Sequence, residues 1–353
     1  MGPIDKTVSR RQFGVGLAAA TGVAALATSL PLRRALAATT TLTVVSYGGS
    51  YQEAQDKAMF TPFTQANSGI AIQQDSPSSA AKLKAMVEAG QVTWDIVDID
   101  DSFGFDSDAQ WLEPIDYTII DRSQFIEGYA QNYRIGSDIE ATVVTYRKDK
   151  FGSSVPNSFA DFFDTKKFPG KRTIWKYAPG GVYEAALLAD GVAPDKLYPI
   201  DVERAQKKLD TIKDDLIWWD TGAQSMQLLT SGEATMGLLW VGRALTAAQT
   251  APVGVAWGQW TTQNGWWVVP KGTKNKKAAM EALKSFTSPE SQIRFTEYLP
   301  YGPTNKLAVD KVAPTYKGNL PTDHLDTRVE VDAKWWNDNL AKVDPVFQEW
   351  LLK

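Results

Sequence analysis

The chain of 353 residues contains no cysteine and only one histidine, His324. Without cysteine it has no thiol nucleophile, no disulfide and no cysteine through which a lipid could tether it. With one histidine, a zinc cluster and a His-based catalytic triad are both excluded. No nucleophile elbow, phosphate-binding loop or zinc-protease motif occurs either. The inventory therefore leaves few kinds of catalysis open and implies no cofactor.

The N-terminal segment has the pattern of an export signal. Ser9-Arg10-Arg11-Gln12-Phe13 matches the twin-arginine motif, and an uncharged stretch rich in Ala and Gly follows over 14–32. Because this stretch is only mildly hydrophobic, a membrane anchor is the weaker reading. Ala35-Leu36-Ala37 supplies a small-residue cleavage site. We expect export by the twin-arginine translocase, cleavage near Ala37 and a location in a Gram-negative periplasm.

The remaining chain lacks a surplus of positive charge. The whole sequence has a net charge of −4, and without residues 1–37 it keeps 32 basic and 40 acidic residues, a net charge of −8. A mildly acidic surface offers no basic patch for nucleic acid or anionic lipid. The sequence therefore favours a small molecule as its partner.

Strands and helices alternate along the mature chain. About 316 residues exceed what one core usually holds, which suggests two α/β domains. The pattern predicts strands over 41–45, 70–72, 94–99, 141–146, 172–175, 235–240 and 266–270. It predicts helices over 51–66, 80–90, 157–164, 183–188, 202–210, 224–231 and 276–287. No long flexible linker separates the two blocks, so the domains are suited to hinge motion.

Several segments together resemble a known family, the extracellular solute-binding proteins of ABC importers, in its spermidine/putrescine-binding branch. The segments are 44–51 (VVSYGGSY), 92–98 (VTWDIVD), 159–164 (FADFFD), 168–171 (FPGK), 187–192 (LLADGV), 229–233 (LTSGE) and 300–305 (PYGPTN). Each is weak evidence alone, but their order spans nearly the whole mature chain.

The resemblance implies a type II periplasmic binding protein fold, with two α/β lobes and the ligand in the cleft between them. Lobe 1 would take 38–142 and 266–305, and lobe 2 would take 143–265 and 306–353. The protein would be a monomer that closes on a solute and delivers it to the transmembrane subunits of an ABC permease. Such closure is a known use of hinged domains.

The resemblance and the residues together nominate a ligand site. The small residues of the first strand-to-helix turn allow a ligand close to the backbone, although an ordinary tight turn is the alternative. Asp98, Asp100 and Asp101 end the third strand, where clustered carboxylates suit a cationic ligand unless they cap a helix. The candidate ligand-binding residues are Tyr47, Gly48, Gly49, Ser50, Asp100, Ser102, Trp240, Arg243, Trp267, Tyr301 and Trp336.

Two positions depart from the polyamine pattern. Where those receptors have an acidic residue before a strand, this chain has Gly265, and Arg243 adds a guanidinium that could pair with a carboxylate. A salt bridge between helices is the alternative for Arg243. Aromatic faces among the 13 tryptophans could hold a cationic nitrogen or simply pack in the core. We therefore expect a zwitterionic solute, such as an opine, rather than a simple polyamine.

Two other functions stay open at the level of sequence. An exported hydrolase that uses only carboxylates is compatible with the many Asp and Glu residues, although no acid pair stands out. A ferric-ion receptor of similar architecture would normally need adjacent tyrosines, and no Tyr-Tyr pair occurs.

Overall fold

The computed structural model describes residues 39–353, so the predicted export signal lies outside the described part of the chain. Nine strands in this part form one sheet. They are β1 (Thr40–Val45), β2 (Ile70–Asp75), β3 (Ile96–Ile99), β4 (Ile135–Arg147), β5 (Arg172–Trp175), β6 (Leu216–Trp219), β7 (Met236–Trp240), β8 (Val253–Val268) and β9 (Arg328–Val329).

Twelve α-helices of very different length accompany this sheet in the described residues. They are α1 (Gly49–Gln55), α2 (Thr61–Ala66), α3 (Ala80–Glu88), α4 (Phe159–Phe163), α5 (Val182–Ala189), α6 (Val202–Asp210), α7 (Gly222–Ser231), α8 (Val241–Thr250), α9 (Lys276–Phe286), α10 (Pro289–Thr296), α11 (Lys306–Val309) and α12 (Ala333–Leu351). A π-helical turn over Asp56–Phe60 joins α1 to α2. None of the helices in residues 39–353 is long and apolar enough to cross a membrane.

Short polar residues cap the N-terminus of several helices. Ser79, Ser158, Asp201, Thr221 and Ser288 each accept a backbone N–H from the first turn of the helix that follows. A side-chain oxygen at this position satisfies one of the backbone donors that a helix start leaves without a partner. These caps fix where the helices begin relative to the ends of the strands.

The sheet is ordered β2-β1-β3-β8-β4-β7-β5-β6, with β9 on β8. Strand β1 is parallel to β2 and β3, and β5 is parallel to β6 and β7. Between these two parallel groups lie β4 and β8, which are antiparallel to each other, while β8 is antiparallel to β3, β4 is antiparallel to β7 and the short β9 is parallel to β8. The sheet therefore consists of two parallel α/β halves joined by one long antiparallel pair.

Strands β4 and β8 are long because each serves both halves. The C-terminal end of β8 pairs with β3 through Trp266 to Val268. The C-terminal end of β4 pairs with β7 through Thr142 to Tyr146. Their middle segments, 138–141 and 262–265, pair with each other between the halves. Residues 38–353 form one contact-rich unit, and the predicted lobe boundaries stay a prediction.

The core of the described chain has two clusters of buried apolar side chains. One contains β1, β3 and the helices beside them, and it continues into α7 and α8. The other lies among β5, α4, α5, α6 and α12. The buried strand β3 is apolar except for Asp98, as is typical of a central parallel strand covered on both faces.

The sequence-based strands over 41–45, 172–175 and 235–240 are confirmed, with shifts of one residue at some ends. The predictions for 141–146 and 266–270 are too short, since β4 begins at Ile135 and β8 at Val253. Helices α8, α10 and α12 have no counterpart in the prediction.

Candidate functional site

The first predicted segment, Tyr47–Ser50, follows β1 and enters α1. Gly48 and Gly49 have φ values of 76° and 57°, which explains why two glycines stand here. The Gly48 N–H donates to the side-chain oxygen of Gln52 at 3.0 Å. Tyr47 and Ser50 are exposed, with 44% of the Tyr47 surface open to solvent. The turn thus presents one aromatic ring and two bare backbone segments to a ligand.

The acids that follow β3 fall into two roles. Asp100 and Ser102 are exposed, and the Asp100 carboxylate accepts the Ser102 N–H at 2.9 Å and the Ser102 hydroxyl. Asp101 accepts the Asn264 N–H at 2.8 Å and the Trp266 indole N–H at 2.7 Å. Asp101 therefore fastens the end of β3 to β8 and is not a helix cap. Asp100 remains the ligand candidate of the two.

Asp98 and Asp138 form a buried pair of carboxylates below the first turn. Both side chains are almost fully enclosed, at 0% and 3% exposure. The Tyr51 hydroxyl contacts both acids, at 2.9 Å from Asp98 and 2.5 Å from Asp138. The Ser137 hydroxyl lies 3.2 Å and 3.1 Å from the same two carboxylates. Since each hydroxyl has one proton to donate, the pair shares too few donors for two negative charges.

The pKa values of these acids reflect that shortage. Burial and the charge of Asp138 raise the pKa of Asp98 well above its usual value. Burial raises the pKa of Asp138 to about 6. Glu140, two residues along β4, has a pKa raised to about 8 by burial and by Asp138, against the opposing effects of the Tyr301 hydroxyl and Arg243. We call Asp98, Asp138 and Glu140 the acidic floor.

Asp138 occupies the place that Gly265 leaves open. The two residues are opposite each other in the β4–β8 register. A β-carbon on Gly265 would lie 3.1 Å and 3.3 Å from the two Asp138 carboxylate oxygens. Asp138 on the neighbouring strand therefore places a carboxylate beside Gly265, and the expected preference against a simple polyamine stays a prediction.

Trp240 belongs to a group of three tryptophans in the second half of the sheet. The rings of Trp175 and Trp219 stack in parallel at 5.6 Å, and the Trp240 ring lies edge-on to both at 5.0 Å. The indole N–H groups of Trp219 and Trp240 have no hydrogen-bond partner in the described residues. We call this group the indole wall. Its members come from the C-terminal ends of β5, β6 and β7.

Arg243 lies in the first turn of α8, directly after the indole wall. It is exposed, and its guanidinium forms no salt bridge among residues 39–353, so the helix-to-helix salt bridge is not formed. Its positive charge lowers the pKa values of Glu140 and Tyr301, against the larger effect of burial. The guanidinium is therefore close enough to act on Glu140 and Tyr301, but it forms no salt bridge with the acidic floor.

Tyr301 brings the two halves together. Its ring centre lies 5.8 Å from that of Tyr51 in the first half. A β-carbon on Gly242, in the second half, would lie 3.2 Å from the same ring. Asp100 also acts across the gap, since its charge adds to the larger effect of burial in raising the pKa of Tyr177 in the second half. We define the cleft as the space bounded by the first turn, the acidic floor, the indole wall, Arg243 and Tyr301.

Two of the predicted ligand residues lie in the core instead. Trp267 is fully buried and packs against Phe60 and Phe286. Since side chains alternate along a strand, Trp266 and not Trp267 points to the other face.

Trp336 is 4% exposed, and its indole N–H donates to Glu184 at 2.6 Å. Its ring stacks on that of Tyr183, and the cluster holds α12 against α5. The structure therefore does not support a ligand contact for Trp267 or Trp336.

A hollow of about 490 Å³ is lined by Asn264 and Trp266, among other residues. Since side chains alternate along a strand, these two residues point away from the face on which Gly265 lies, and the hollow is on the other face of β8. Its charged groups already have partners. Arg134 donates to the carbonyl groups of Asp101 and Phe103 at 3.0 Å, and Glu330 pairs with Arg328 at 2.9 Å. Arg134 and Glu330 therefore do not offer free charges to a ligand in this hollow.

Asp138, Glu140 and the Tyr51 hydroxyl are not among the residues that the sequence nominates for the site. Asp138 and Glu140 stand two residues apart in a segment where no strand was predicted, and Asp98 was grouped with its neighbours. The available signal was the Asp-x-Glu spacing, which places two acids on one face of a strand.

Comparison with known proteins supports a binding function. The family model described as bacterial extracellular solute-binding protein matches residues 58–322. The gamma-aminobutyric acid-binding protein of Pseudomonas aeruginosa is 34% identical over 322 residues, which is 88% of this chain and 90% of that protein.

Two solved structures are similar over the same range. The Atu4243 GABA receptor has 40% identity and a TM-score of 0.82, over 88% of this chain and 98% of that one. The A. tumefaciens R10 binding protein AgtB, in complex with agropinic acid, has 32% identity and a TM-score of 0.72, over 89% of this chain and 99% of that one.

Proposed function

This chain belongs to the family of bacterial extracellular solute-binding proteins, and we propose that it captures a short zwitterionic amino acid of the γ-aminobutyric acid (GABA) type for an ABC importer. Such a solute has an ammonium group at one end and a carboxylate at the other. The protein binds and releases it unchanged, as a receptor and not as an enzyme. The predicted two-lobed fold is that of its structural relatives.

The ammonium end of the solute has its place at the acidic floor. Carboxylates buried side by side are costly unless a cation or a proton neutralises them. Asp98 and Asp138 have only hydroxyl and amide donors around them, namely Tyr51, Ser137 and Gln55. An ammonium group can replace the missing cation, and the faces of Tyr47 and Trp240 can add cation–π attraction.

The carboxylate end pairs with Arg243. A guanidinium binds a carboxylate through two parallel hydrogen bonds, and Arg243 has no carboxylate partner in the described residues. Trp219 and Trp240 add two indole N–H groups beside it that also lack acceptors. The observation that carries the proposal is a buried acid cluster close to a guanidinium that forms no salt bridge in the described residues, whose charge lowers the pKa of Glu140 in that cluster against the larger effect of burial.

Calorimetric titration of the purified protein with GABA, its amide 4-aminobutanamide and butyrate tests both ends of this assignment. We expect GABA to bind best, since only it carries both charges. Arg243→Ala should weaken GABA binding by at least roughly 30-fold, about 2 kcal/mol, and Asp138→Asn should weaken it by a similar factor. Arg204→Ala and Glu203→Gln, at exposed positions of α6, are the matched controls. Tight binding of neutral sugars and none of GABA would contradict the proposal.

We also propose the route by which the protein reaches its site of action. The relatives of the family support an extracytoplasmic location, and the Arg10-Arg11 pair supports export by the twin-arginine translocase with cleavage near Ala37. Replacement of both arginines by lysine should leave the precursor in the cytoplasm. A mature protein that still reaches the periplasm would exclude this pathway.

The two lobes are proposed with the predicted bounds, 38–142 with 266–305 and 143–265 with 306–353. Strands β4 and β8 support this division, since each extends from one half of the sheet into the other. A monomer that bends at the middle of these strands would close the cleft on the solute and present both lobes to the permease.

A further inference from the structure

Gly222 begins α7 without a backbone reason for glycine. Its φ lies outside the left-handed region, unlike those of Gly48 or Gly181. Thr221 caps the helix, and any residue could follow it. Alanine favours the interior of a helix over glycine by about 0.5–1 kcal/mol, and at this first position of α7 nothing in the backbone favours glycine instead.

The space above Gly222 is filled by the stem of Arg243. A β-carbon on Gly222 would lie 2.6 Å from the Arg243 Nε atom and 3.2 Å from its Cδ and Cγ atoms. Ordinary contacts lie at 3.4–4 Å. A methyl group at residue 222 and the present course of the Arg243 side chain therefore exclude each other.

We propose that Gly222 is a positioning residue, whose missing side chain lets Arg243 lie across the start of α7 with its guanidinium turned to the cleft. The proposal rests on the proposed function, because it assumes that Arg243 receives the carboxylate of the solute. Through Arg243, Gly222 sets the preference for solutes with a carboxylate over otherwise similar amines.

A larger residue at 222 would displace the guanidinium at little cost to the fold. Arg243 is exposed and its side chain is flexible, so it can move aside into solvent. The helix itself would gain from alanine. The effect therefore appears in ligand preference while stability stays the same or rises, which separates positioning from a structural role.

A double-mutant cycle tests this coupling. Wild type, Gly222→Ala, Arg243→Ala and the double variant are titrated with GABA and with 4-aminobutanamide, which has a neutral amide in place of the carboxylate. We expect Gly222→Ala to weaken GABA binding about 10-fold, or about 1.4 kcal/mol. Binding of the amide should weaken less than about two-fold. In the Arg243→Ala background, Gly222→Ala should have no further effect.

Gly69→Ala is the matched control, because a β-carbon there meets nothing within 4 Å and its φ is also ordinary. The inference is overturned if Gly222→Ala leaves GABA affinity unchanged while Arg243→Ala lowers it. It is equally overturned if Gly222→Ala weakens both ligands alike or weakens GABA further in the Arg243→Ala background. Failure of wild type to bind GABA, or of Arg243→Ala to weaken it, would instead reject the proposed function.

Discussion

At the scale of single residues, the pair Gly265 and Asp138 shows how a site can keep its charge while the sequence position changes. From the sequence alone, Gly265 reads as the loss of an anion. In the sheet, Asp138 lies opposite it, and the Ser137 hydroxyl together with the Asp138 carboxylate fills the space that a side chain at 265 would need. The pairing of residues that lie 127 positions apart, such as 138 and 265, is a tertiary property, so one sequence without a structure does not reveal this proximity.

The raised pKa values of the acidic floor predict a pH dependence of stability. Glu140 titrates near 8 in the folded protein and near 4.5 in an exposed state. Between these pH values the folded protein binds more protons than the unfolded chain, so the free energy of unfolding falls as the pH rises. Asp138 contributes in the same direction between 3.8 and about 6.

Urea unfolding of the ligand-free protein from pH 5 to pH 9 measures this effect. In Glu140→Gln, the part of the fall in unfolding free energy that occurs between pH 4.5 and 8 should be absent. Since an ammonium group favours the ionised acids, GABA binding should also release protons in this range, which calorimetry in buffers of different ionisation enthalpy detects. If the free energy of unfolding changed with pH in the same way for wild type and Glu140→Gln, the pKa of Glu140 would not be raised by folding.

At the scale of elements, the structure is most predictable where local signals are strong. The strand, glycine turn and helix at 40–55 follow from β-branched residues and two glycines with positive φ. Most of β4 and β8 was missed because Asp138, Glu140, Gln263 and Asn264 interrupt the apolar pattern. The polar residues of these strands lie where the strands border the cleft or the opposite hollow. They interrupt the alternation of apolar residues from which a strand is predicted.

The contact between α12 and α5 gives a test of where Trp336 belongs. Trp336→Phe removes the N–H that Glu184 accepts, while the Tyr198 hydroxyl at 2.6 Å remains. Glu184 is fully buried. The free energy of unfolding should fall by about 2 kcal/mol, because a buried carboxylate loses one of its donors.

Chemical unfolding together with GABA titration separates the two roles. Affinity for GABA should stay within about two-fold of wild type. Trp335→Phe is the control, since Trp335 is half-buried and its indole N–H makes no hydrogen bond in the described part of the chain. If Trp336→Phe left the stability unchanged and greatly lowered the affinity for GABA, the result would support a ligand contact for Trp336 and contradict its structural role.

At the scale of the whole molecule, composition and the order of motifs were enough to predict the fold class and the family. Alternating strands and helices gave the two α/β halves, and the solute-binding relatives confirm that fold. Ligand identity was less accessible, since it depends on charges that meet across the cleft. The sequence nominates Asp100, Arg243 and Tyr301, whose ligand roles stay predictions, whereas the acidic floor depends on the register of β4 on β8.

A crystal structure of the protein with GABA tests most directly whether the cleft binds the ammonium and the carboxylate of the solute at opposite sides. The account predicts the GABA ammonium within hydrogen-bond distance of Asp138 or Glu140 and the GABA carboxylate on the Arg243 guanidinium. A carboxylate placed elsewhere than on Arg243, or GABA bound in the hollow beside Asn264 and Trp266, would contradict it.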